Sequence, residues 1–287
     1  MSEVIDFGFD DANVVKTKSV ELFKQSKPGE RHRVSIISFK THHDIVLARK
    51  VRERGADLSM DEKKELFEKI DQKIADELEK PVSELTDADR LDIRSPRFSF
   101  SFTHYKDGIG TIKCLSKYEG STLVEEEICC KHIGEPSQKI GTVIMTYPVD
   151  DRGQVDMELL MKKKYTKFYV WTFSPKKFKQ LESTYADARS DGKTTVDMRV
   201  TLDGDPRYQK QIIESAGTAA WAKKNVDPEI RKWILEMGLK LHKSVPYNLG
   251  YGMKKEELIE KLGLSVGESG EEEAPKLVSS YDDMFTK

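Results

Sequence analysis

Hydrophobic and polar residues alternate with a period of two in several stretches of the chain. The clearest runs from Arg97 to Tyr105, where three phenylalanines and a histidine share one face and small polar residues occupy the other. Such alternation is typical of β-strands. We predict further strands at 32–38, Thr111–Leu115, Leu123–Lys131, Lys139–Tyr147, Lys164–Phe173, 194–202 and Tyr208–Ile213. The glycines and prolines between them favour a small barrel or sandwich over alternating βαβ units.

Helical spacing is clearest between Asp44 and Leu91, where apolar residues recur at intervals of three and four. Ser59 and Glu62 predict a capping box, and Pro81 predicts the end of the helix. Since 14 acidic and 7 basic residues lie between Glu53 and Asp92, we predict an acidic helical insertion at 44–91. It is either a solvated helix or a lid that mimics DNA. Further helices are predicted at Ser19–Gln25, 174–189, Asp227–Leu241 and Lys254–Leu262.

These elements predict an α+β protein with four parts. The parts are an N-terminal arm at 1–27, a β-rich core at 28–225 that contains the insertion, C-terminal helices at 226–264 and an acidic flexible tail at 265–287. The tail carries 6 acidic and 2 basic residues. Its polar composition buries too little apolar surface to fold, so we expect it to be disordered.

Composition is that of a polar globular protein, with 37% hydrophobic and 34% charged residues. No apolar run approaches the roughly 20 residues that span a bilayer. The first residues lack the basic and apolar regions of a signal peptide, so we expect an intracellular protein. The 3 cysteines include an adjacent pair, which suits reduced thiols better than a disulfide framework.

A strongly basic stretch stands out in a chain whose formal net charge is -2. Between Arg152 and Lys179 there are 8 basic and 2 acidic residues. The basic residues are Arg152, Lys162, Lys163, Lys164, Lys167, Lys176, Lys177 and Lys179. The alternation places Lys167, Tyr169 and Trp171 on one face, and a cationic groove lined by rings is how proteins bind single-stranded nucleic acid without reading its sequence. The alternative is an ordinary half-buried strand, with both rings in the core and the lysines at a solvated edge.

Cysteine and histidine side chains also suggest a zinc site. The candidates are His104, Cys114, Cys129, Cys130 and His132. No Cys-x-x-Cys pair occurs, and adjacent cysteines in one strand would project to opposite faces. We therefore predict no metal centre, and keep as the alternative a structural zinc held through Cys114, Cys129 or Cys130, and His132.

Motifs for catalysis are missing from the sequence. It contains no phosphate-binding loop of the G-x-x-x-x-G-K-[ST] form, no nucleophile elbow and no H-E-x-x-H motif. We therefore predict a protein that is not an enzyme and has no cofactor. The alternatives are a structural or interaction protein of a virion or polymerase assembly and, third, a nuclease.

Three segments resemble the single-stranded DNA-binding, helix-destabilising proteins of tailed bacteriophages. They are HRVSIIS at 32–38, YTKFYVWTFSPKKFKQL at 165–181 and TTVDMRVTLDGDPRYQKQIIESAG at 194–217. The resemblance implies an OB-like β-barrel core, binding of single-stranded DNA during replication, recombination and repair, and a place in the cytoplasm of the infected bacterial host. The family's histidine and three-cysteine zinc motif is not reproduced with its spacing, and the insertion at 44–91 has no counterpart.

The resemblance also implies roles for individual residues. The DNA cleft would use Lys167, Tyr169, Trp171, Arg199, Tyr208 and Lys210, beside the other lysines of the basic stretch. The string from Lys16 to Ser19 would serve self-association on DNA. Asp282, Asp283 and Phe285 would form a tail tip that contacts replication and recombination proteins.

Overall fold

The computed structural model describes residues 21–25, 27–119, 122–150, 152–204 and 210–264, which form an α+β fold. The strands are β1 (Arg31–Ile36), β2 (Phe39–Thr41), β3 (Leu91–Pro96), β4 (Ser99–Lys106), β5 (Gly110–Lys113), β6 (Lys117–Glu119), β7 (Thr122–Glu125), β8 (Ser137–Thr146), β9 (Lys167–Phe173), β10 (Val196–Asp203) and β11 (Lys210–Thr218).

Eight α-helices connect or follow these strands in the described part of the chain. They are α1 (His42–Arg54), α2 (Met60–Leu78), α3 (Ile128–Ile133), α4 (Met157–Met161), α5 (Pro175–Ser190), α6 (Pro228–His242), α7 (Val245–Leu249) and α8 (Lys255–Leu262). Short 3-10 turns lie at Val82–Glu84 and Ala220–Ala222. None of the helices among these residues has the length and apolar character needed to cross a bilayer.

Most strands belong to one largely antiparallel sheet. Its order is β11-β10-β1-β8-β4-β5, and β9 pairs with β8 outside this order. β2 with β3, and β6 with β7, form two separate two-stranded sheets. Because β11 and β5 each pair with one neighbour in this order, the described strands form no closed barrel. The predicted α+β class is confirmed, and the sheet is open where a barrel was expected.

Two predicted elements are wrong. The strand expected at Leu123–Lys131 ends at Glu125, and α3 follows it, because Ile128 and Cys129 are buried as neighbours instead of alternating between faces. The helix expected at Ser19–Gln25 is extended over its described residues. The backbone of 21–25 bonds β9 instead, with the Phe23 amide donating to the Val170 carbonyl at 2.8 Å.

The chain divides into two compact units. The first takes in the described residues of Met1–Arg97, Thr142–Trp171 and Thr184–Ser244. Its core follows the expected alternation, because Val34 lies opposite Met198 of β10 and both side chains are fully buried.

A buried polar network joins β1 and β10 of this unit to Tyr147, the residue that follows β8. The Asp197 carboxylate accepts from Arg33 Nε at 2.9 Å and from the Tyr147 hydroxyl at 2.7 Å. It also accepts from the Ala220 amide at 3.0 Å. Burial raises the pKa of Asp197, while the bonds from Tyr147 and Arg33 act in the opposite direction. Since a buried charge is tolerated only when it is paired and hydrogen-bonded, this network specifies how β1, β10 and the residue that follows β8 meet the turn at Ala220–Ala222.

The helical insertion between β2 and β3 contains two helices. The predicted capping box is confirmed, with Ser59 and Glu62 bonding each other's backbone amides at the start of α2. Asp71 of α2 accepts from Arg90 through both carboxylate oxygens, at 3.0 and 2.9 Å, and contacts His43 Nε2 of α1 at 2.8 Å. The His43 ring also stacks on Phe67 at 4.4 Å between centroids. These contacts fix the two helices against each other and against the residues that precede β3.

The second unit takes in the described residues of Phe98–Gly141, Thr172–Ser183 and Val245–Lys287. A small apolar core lies between β5, α3 and α8. Its buried members are Ile112, Ile128, Cys129, Met253 and Leu258. This core packs against α3, which carries Cys129 and Cys130, and includes Ile112, two residues before Cys114.

Replacing Gly238 tests how closely α6 approaches the strand edge. A Cβ at this glycine would lie 1.9 Å from the carbonyl oxygen of Ile37, which is backbone and cannot turn aside. We expect Gly238→Ala to lower the free energy of unfolding by about 3 kcal/mol, measured by urea denaturation. The control is Gly252→Ala, whose Cβ meets nothing within 4 Å and which we expect to change stability by less than about 0.5 kcal/mol. Equal stabilities for the two variants would contradict this packing.

Candidate functional site

An exposed cationic segment of the first unit leads from α4 into β9 and ends on the first residue of that strand; we call it the basic loop (162–167). Lys162, Lys163, Lys164 and Lys167 are all exposed, and the ring of Tyr165 between them is 71% exposed. Sequence reasoning missed Tyr165, because the alternation of β9 was extended back through residues that are not in the strand. Its place among four lysines was the available signal.

The backbone of the basic loop adopts an uncommon conformation. Lys163 has φ 56° and Tyr165 has φ 59°. Both values lie in the left-handed region, which residues other than glycine and asparagine rarely adopt. The backbone amide of Lys163 donates a hydrogen bond to the Leu160 carbonyl at 2.9 Å, and that of Lys164 donates to the Leu159 carbonyl at 3.0 Å. These hydrogen bonds stabilise the turn. Strained residues of this kind persist only where the surroundings fix them, and they concentrate at functional sites.

The lysines of the basic loop differ in their partners. Lys162 pairs with Glu158, and Lys163 Nζ lies 5.1 Å from the centroid of the Trp233 ring. Around Lys164 and Lys167, no carboxylate of a described residue lies within ion-pair distance. These two ammonium groups are therefore the ones whose charge is available to an anion.

The predicted exposed aromatic face of β9 is wrong at Trp171. Its side chain is 1% exposed and Phe173 is also buried, while Tyr169 is half-buried. The cause is residues 21–25, which lie beside β9 and place the Phe23 ring 5.8 Å from both Tyr169 and Trp171. A ring so enclosed cannot stack on a base in this conformation. The alternative interpretation, with Trp171 in the core, matches its burial.

The other predicted binding residues fall elsewhere along the chain. Arg199 is exposed in β10, and Lys210 is exposed at the start of β11, opposite Asp203. Lys176 and Lys177 lie in the first turn of α5, where burial lowers the pKa of Lys177. The remaining predicted residues lie outside the described part of the chain, namely Lys16 to Ser19, Tyr208, Asp282, Asp283 and Phe285.

In the second unit, the lysines of α5 lie beside a cluster of phenylalanines. The Phe178 ring lies 4.9 Å from Phe98 and 5.7 Å from Phe100, edge to face in both pairs. Phe100 is 55% exposed although it belongs to a face that alternation assigns to the core. An exposed ring beside a basic helix turn is a surface on which a base can stack.

A potential metal site is formed by His104 of β4, Cys114 after β5, and Cys129 and Cys130 of α3. One ligand atom from each lies within 4.8 Å of all the others. The Cys114 sulfur is 3.4 Å from the Cys130 sulfur and 3.6 Å from that of Cys129. His104 Nε2 is 3.7 Å from the Cys130 sulfur. Three sulfurs and one imidazole nitrogen are a donor set that suits zinc.

This cluster corrects two predictions. The argument that Cys129 and Cys130 cannot share a metal is wrong, because they lie in α3 and not in a strand. The histidine of the cluster is His104, since His132 is exposed and is not a member. His104 was among the candidate ligands, but spacing along the chain favoured His132, because it is β4 that brings His104 to the cysteines.

Hydrogen bonds tune the thiols. The bond from Cys129 lowers the pKa of Cys114 to about 7, against the opposing effect of burial. The same bond raises the pKa of Cys129. The Leu115 amide donates to the Cys129 sulfur at 3.2 Å. Cys114 therefore reaches the thiolate form that binds metals near neutral pH.

The cluster is connected to an aromatic pair. The Tyr118 hydroxyl lies 3.7 Å from the Cys114 sulfur and 3.8 Å from that of Cys130. Its ring stacks on Phe102 with 4.0 Å between centroids. Phe102 shares its face of β4 with Phe100. The contacts of Tyr118 therefore link the cysteine cluster to the face of β4 that carries these two phenylalanines.

Truncating the buried and exposed rings separates their roles. We expect Trp171→Ala to lower the free energy of unfolding by about 3–5 kcal/mol, because it empties a fully enclosed site. Tyr165→Ala, in the loop before the same strand, serves as the control and is expected to change stability by about 0.5 kcal/mol at most. Urea denaturation measures both. A Trp171→Ala protein as stable as the control would show that the ring is not part of the core.

Comparison with known proteins identifies no relative of this chain. No protein-family model matches it, and neither a curated protein nor a solved structure is significantly similar.

Proposed function

We propose that the protein binds single-stranded DNA without reading its sequence and takes part in no catalytic step. The observation that carries the proposal is the basic loop, where the exposed ring of Tyr165 lies among four exposed lysines. Lys164 and Lys167 would neutralise phosphates, and Tyr165 would stack on an unpaired base. A strained backbone that presents this ring outward supports a binding role.

The fold is compatible with this proposal. β1, β10 and β11, with the last part of β8 and β9 as far as Trp171, belong to the first unit. An OB-fold is a five-stranded, partly open barrel that binds oligonucleotides. We include an open OB-like core in the proposal on this ground. It would act in the cytoplasm of a bacterium infected by a tailed phage, with the C-terminal tail as the contact for replication and recombination proteins.

The α5 lysines support the proposal independently. Lys176 and Lys177 begin a helix whose Phe178 contacts the exposed ring of Phe100. Cation and ring thus occur together a second time, in the other unit. Arg199 and Lys210 add exposed positive charge on β10 and β11. We propose these residues as further contacts to the strand.

A second candidate is a structural or interaction protein of a virion or polymerase assembly. The burial of Trp171 favours it, because that hypothesis places the aromatic strand in the core. In that case the basic loop would bind an acidic protein surface. An oligomer or complex that covers the loop, in a protein without affinity for nucleic acid, would distinguish it from the first.

Variants of the basic loop test the proposal. We expect Tyr165→Ala to weaken binding of a labelled oligo-dT by about 1–3 kcal/mol through loss of stacking. Lys167→Gln should reduce the slope of log affinity against log salt by about 0.7, the value for one phosphate contact on a single strand. Fluorescence anisotropy at several salt concentrations measures both.

The matched control is Lys64→Gln, which removes an exposed lysine from α2 in the insertion. It should bind like the parent protein. If all three variants bind oligo-dT equally well, the basic loop is not the binding site. If the parent protein does not bind, the second candidate function gains support.

We also propose that His104, Cys114, Cys129 and Cys130 hold a structural zinc ion. When bound, zinc would supply a fixed cross-link between β4, the segment after β5, and α3 in place of a larger apolar core. His104 fits this role, because its Nε2 faces the sulfurs, whereas its buried Nδ1 has no hydrogen-bond partner among the described residues. Through Tyr118, the ion would also support the stacked position of Phe102.

Metal analysis tests the zinc proposal. We expect about one zinc per chain in protein purified without chelator, and Cys129→Ser to lose it with a lower thermal midpoint, because a structural metal contributes directly to folding. His132→Ala is the control and should retain zinc, since that side chain lies outside the cluster. A metal-free parent protein that also fails to bind added zinc would contradict the assignment, as would loss of zinc in the control alone.

A further inference from the structure

The face of β4 that points away from the cysteine cluster carries a different set of side chains. His104 lies opposite Ile112 of β5, on the side of the cluster. Tyr105 lies opposite Thr111, and Thr103 lies opposite Lys113, so these four residues share the other side. Lys139 of β8 joins them, because it lies opposite Ser101 on that same side of β4. All belong to the second unit.

Two lysines on this face carry charge without an acidic partner. Among the described residues, no carboxylate lies within ion-pair distance of Lys113 or Lys139. Lys113 is half-buried, and that burial lowers its pKa with no acidic group to oppose the effect. Lys139 Nζ lies 3.5 Å from the Thr111 hydroxyl. An ammonium group that is partly desolvated and unpaired gains most from an anionic ligand.

A tyrosine of α7 completes the group. Lys113 Nζ lies 5.4 Å from the centroid of the Tyr247 ring. Helix α7 can approach the sheet closely because β8 has a glycine there. A Cβ at Gly141 would lie 2.8 Å from Val245 Cγ1 and 2.9 Å from Leu249 Cδ2. The packing of α7 thus fixes the backbone that carries Tyr247.

The rings of this face are open to solvent. Tyr105 is 69% exposed and Tyr247 is 66% exposed. Their neighbours on the sheet are serine and threonine, at Ser101, Thr111 and Ser137. Exposed tyrosines, unpaired lysines and hydroxyl groups give little aliphatic surface, whereas the centre of a stable protein interface is apolar. The chemistry fits a strand of phosphates and bases better than a protein partner.

We propose that Tyr105, Lys113, Lys139 and Tyr247 form a second contact surface for single-stranded nucleic acid. Lys113 and Lys139 bind phosphate oxygens, and the two tyrosines stack on bases. The inference rests on the proposed function and extends it, since it adds a nucleic-acid-binding surface in the second unit.

Variants of this face test the inference with an oligo-dT of about 30 nucleotides, long enough to cover several site sizes of roughly 4–16 nucleotides. We expect Tyr247→Leu to weaken binding about 5- to 100-fold. Lys113→Gln should reduce the salt slope by about 0.7. Lys254→Gln, an exposed lysine of the same unit outside this face, is the control and should bind like the parent protein. Circular dichroism and thermal midpoints establish that each variant is folded.

Photocross-linking gives a second readout that needs no substitution in the protein. Oligo-dT containing 5-iodo-deoxyuridine should cross-link to the peptides that hold Tyr105 or Tyr247, as located by mass spectrometry. If the parent protein binds oligo-dT and Tyr165→Ala weakens binding, but the Lys113 and Tyr247 variants bind normally and no such cross-link forms, the second surface is refuted alone. If the parent protein does not bind oligo-dT, the proposed function fails together with it.

Discussion

Burial of Trp171 is the constraint on which the candidate binding site depends. The ring belongs to β9 and is covered by residues 21–25, which contribute the Phe23 ring. The amide of Val170 donates a hydrogen bond to the Glu21 carbonyl at 3.0 Å. At the other end of the basic loop, Leu160 of α4 is fully buried. The loop is therefore anchored on both sides, and the short connection between the anchors directs Tyr165 and the lysines to solvent. The contact between β9 and residues 21–25 therefore has two effects: it buries the Trp171 ring, and it anchors the loop that exposes the Tyr165 ring.

The charge distribution explains how a chain of net charge -2 can attract a polyanion. Acidic residues of the insertion form hydrogen bonds and ion pairs with neighbouring groups. Glu62 completes the capping box of α2, and Asp71 pairs with Arg90 and His43. By contrast, no carboxylate of a described residue lies within ion-pair distance of Lys113, Lys139, Lys164 or Lys167. Because Coulomb attraction between exposed charges is screened beyond roughly 10 Å, the local sign of charge governs binding more than the total.

The sequence predicted strands and helices well where the period was clear and the neighbours were local. β4, β8 and β10 lie where strands were predicted, α5 and α6 lie where helices were predicted, and the side chain of Asp227 caps α6 as expected. The sequence did not predict burial correctly where segments distant in the chain cover a side chain. Alternation assigns Trp171 to a face, but the residues that cover that face lie about 150 positions earlier in the chain. The prediction of no metal centre missed this cluster for a similar reason, since it is the fold that brings His104 of β4 close to Cys129 and Cys130 of α3.

Fluorescence anisotropy of the unmodified protein with a labelled oligo-dT, duplex DNA and RNA at low and high salt tests the central claim most directly. A signal from the oligonucleotide is preferable to tryptophan quenching, because Trp171 and Trp221 are buried. The account predicts tight binding to the single DNA strand at low salt, a steep loss of affinity at high salt, and weaker binding to duplex DNA. No binding to the single strand at low salt, or equal binding to duplex DNA, would contradict it.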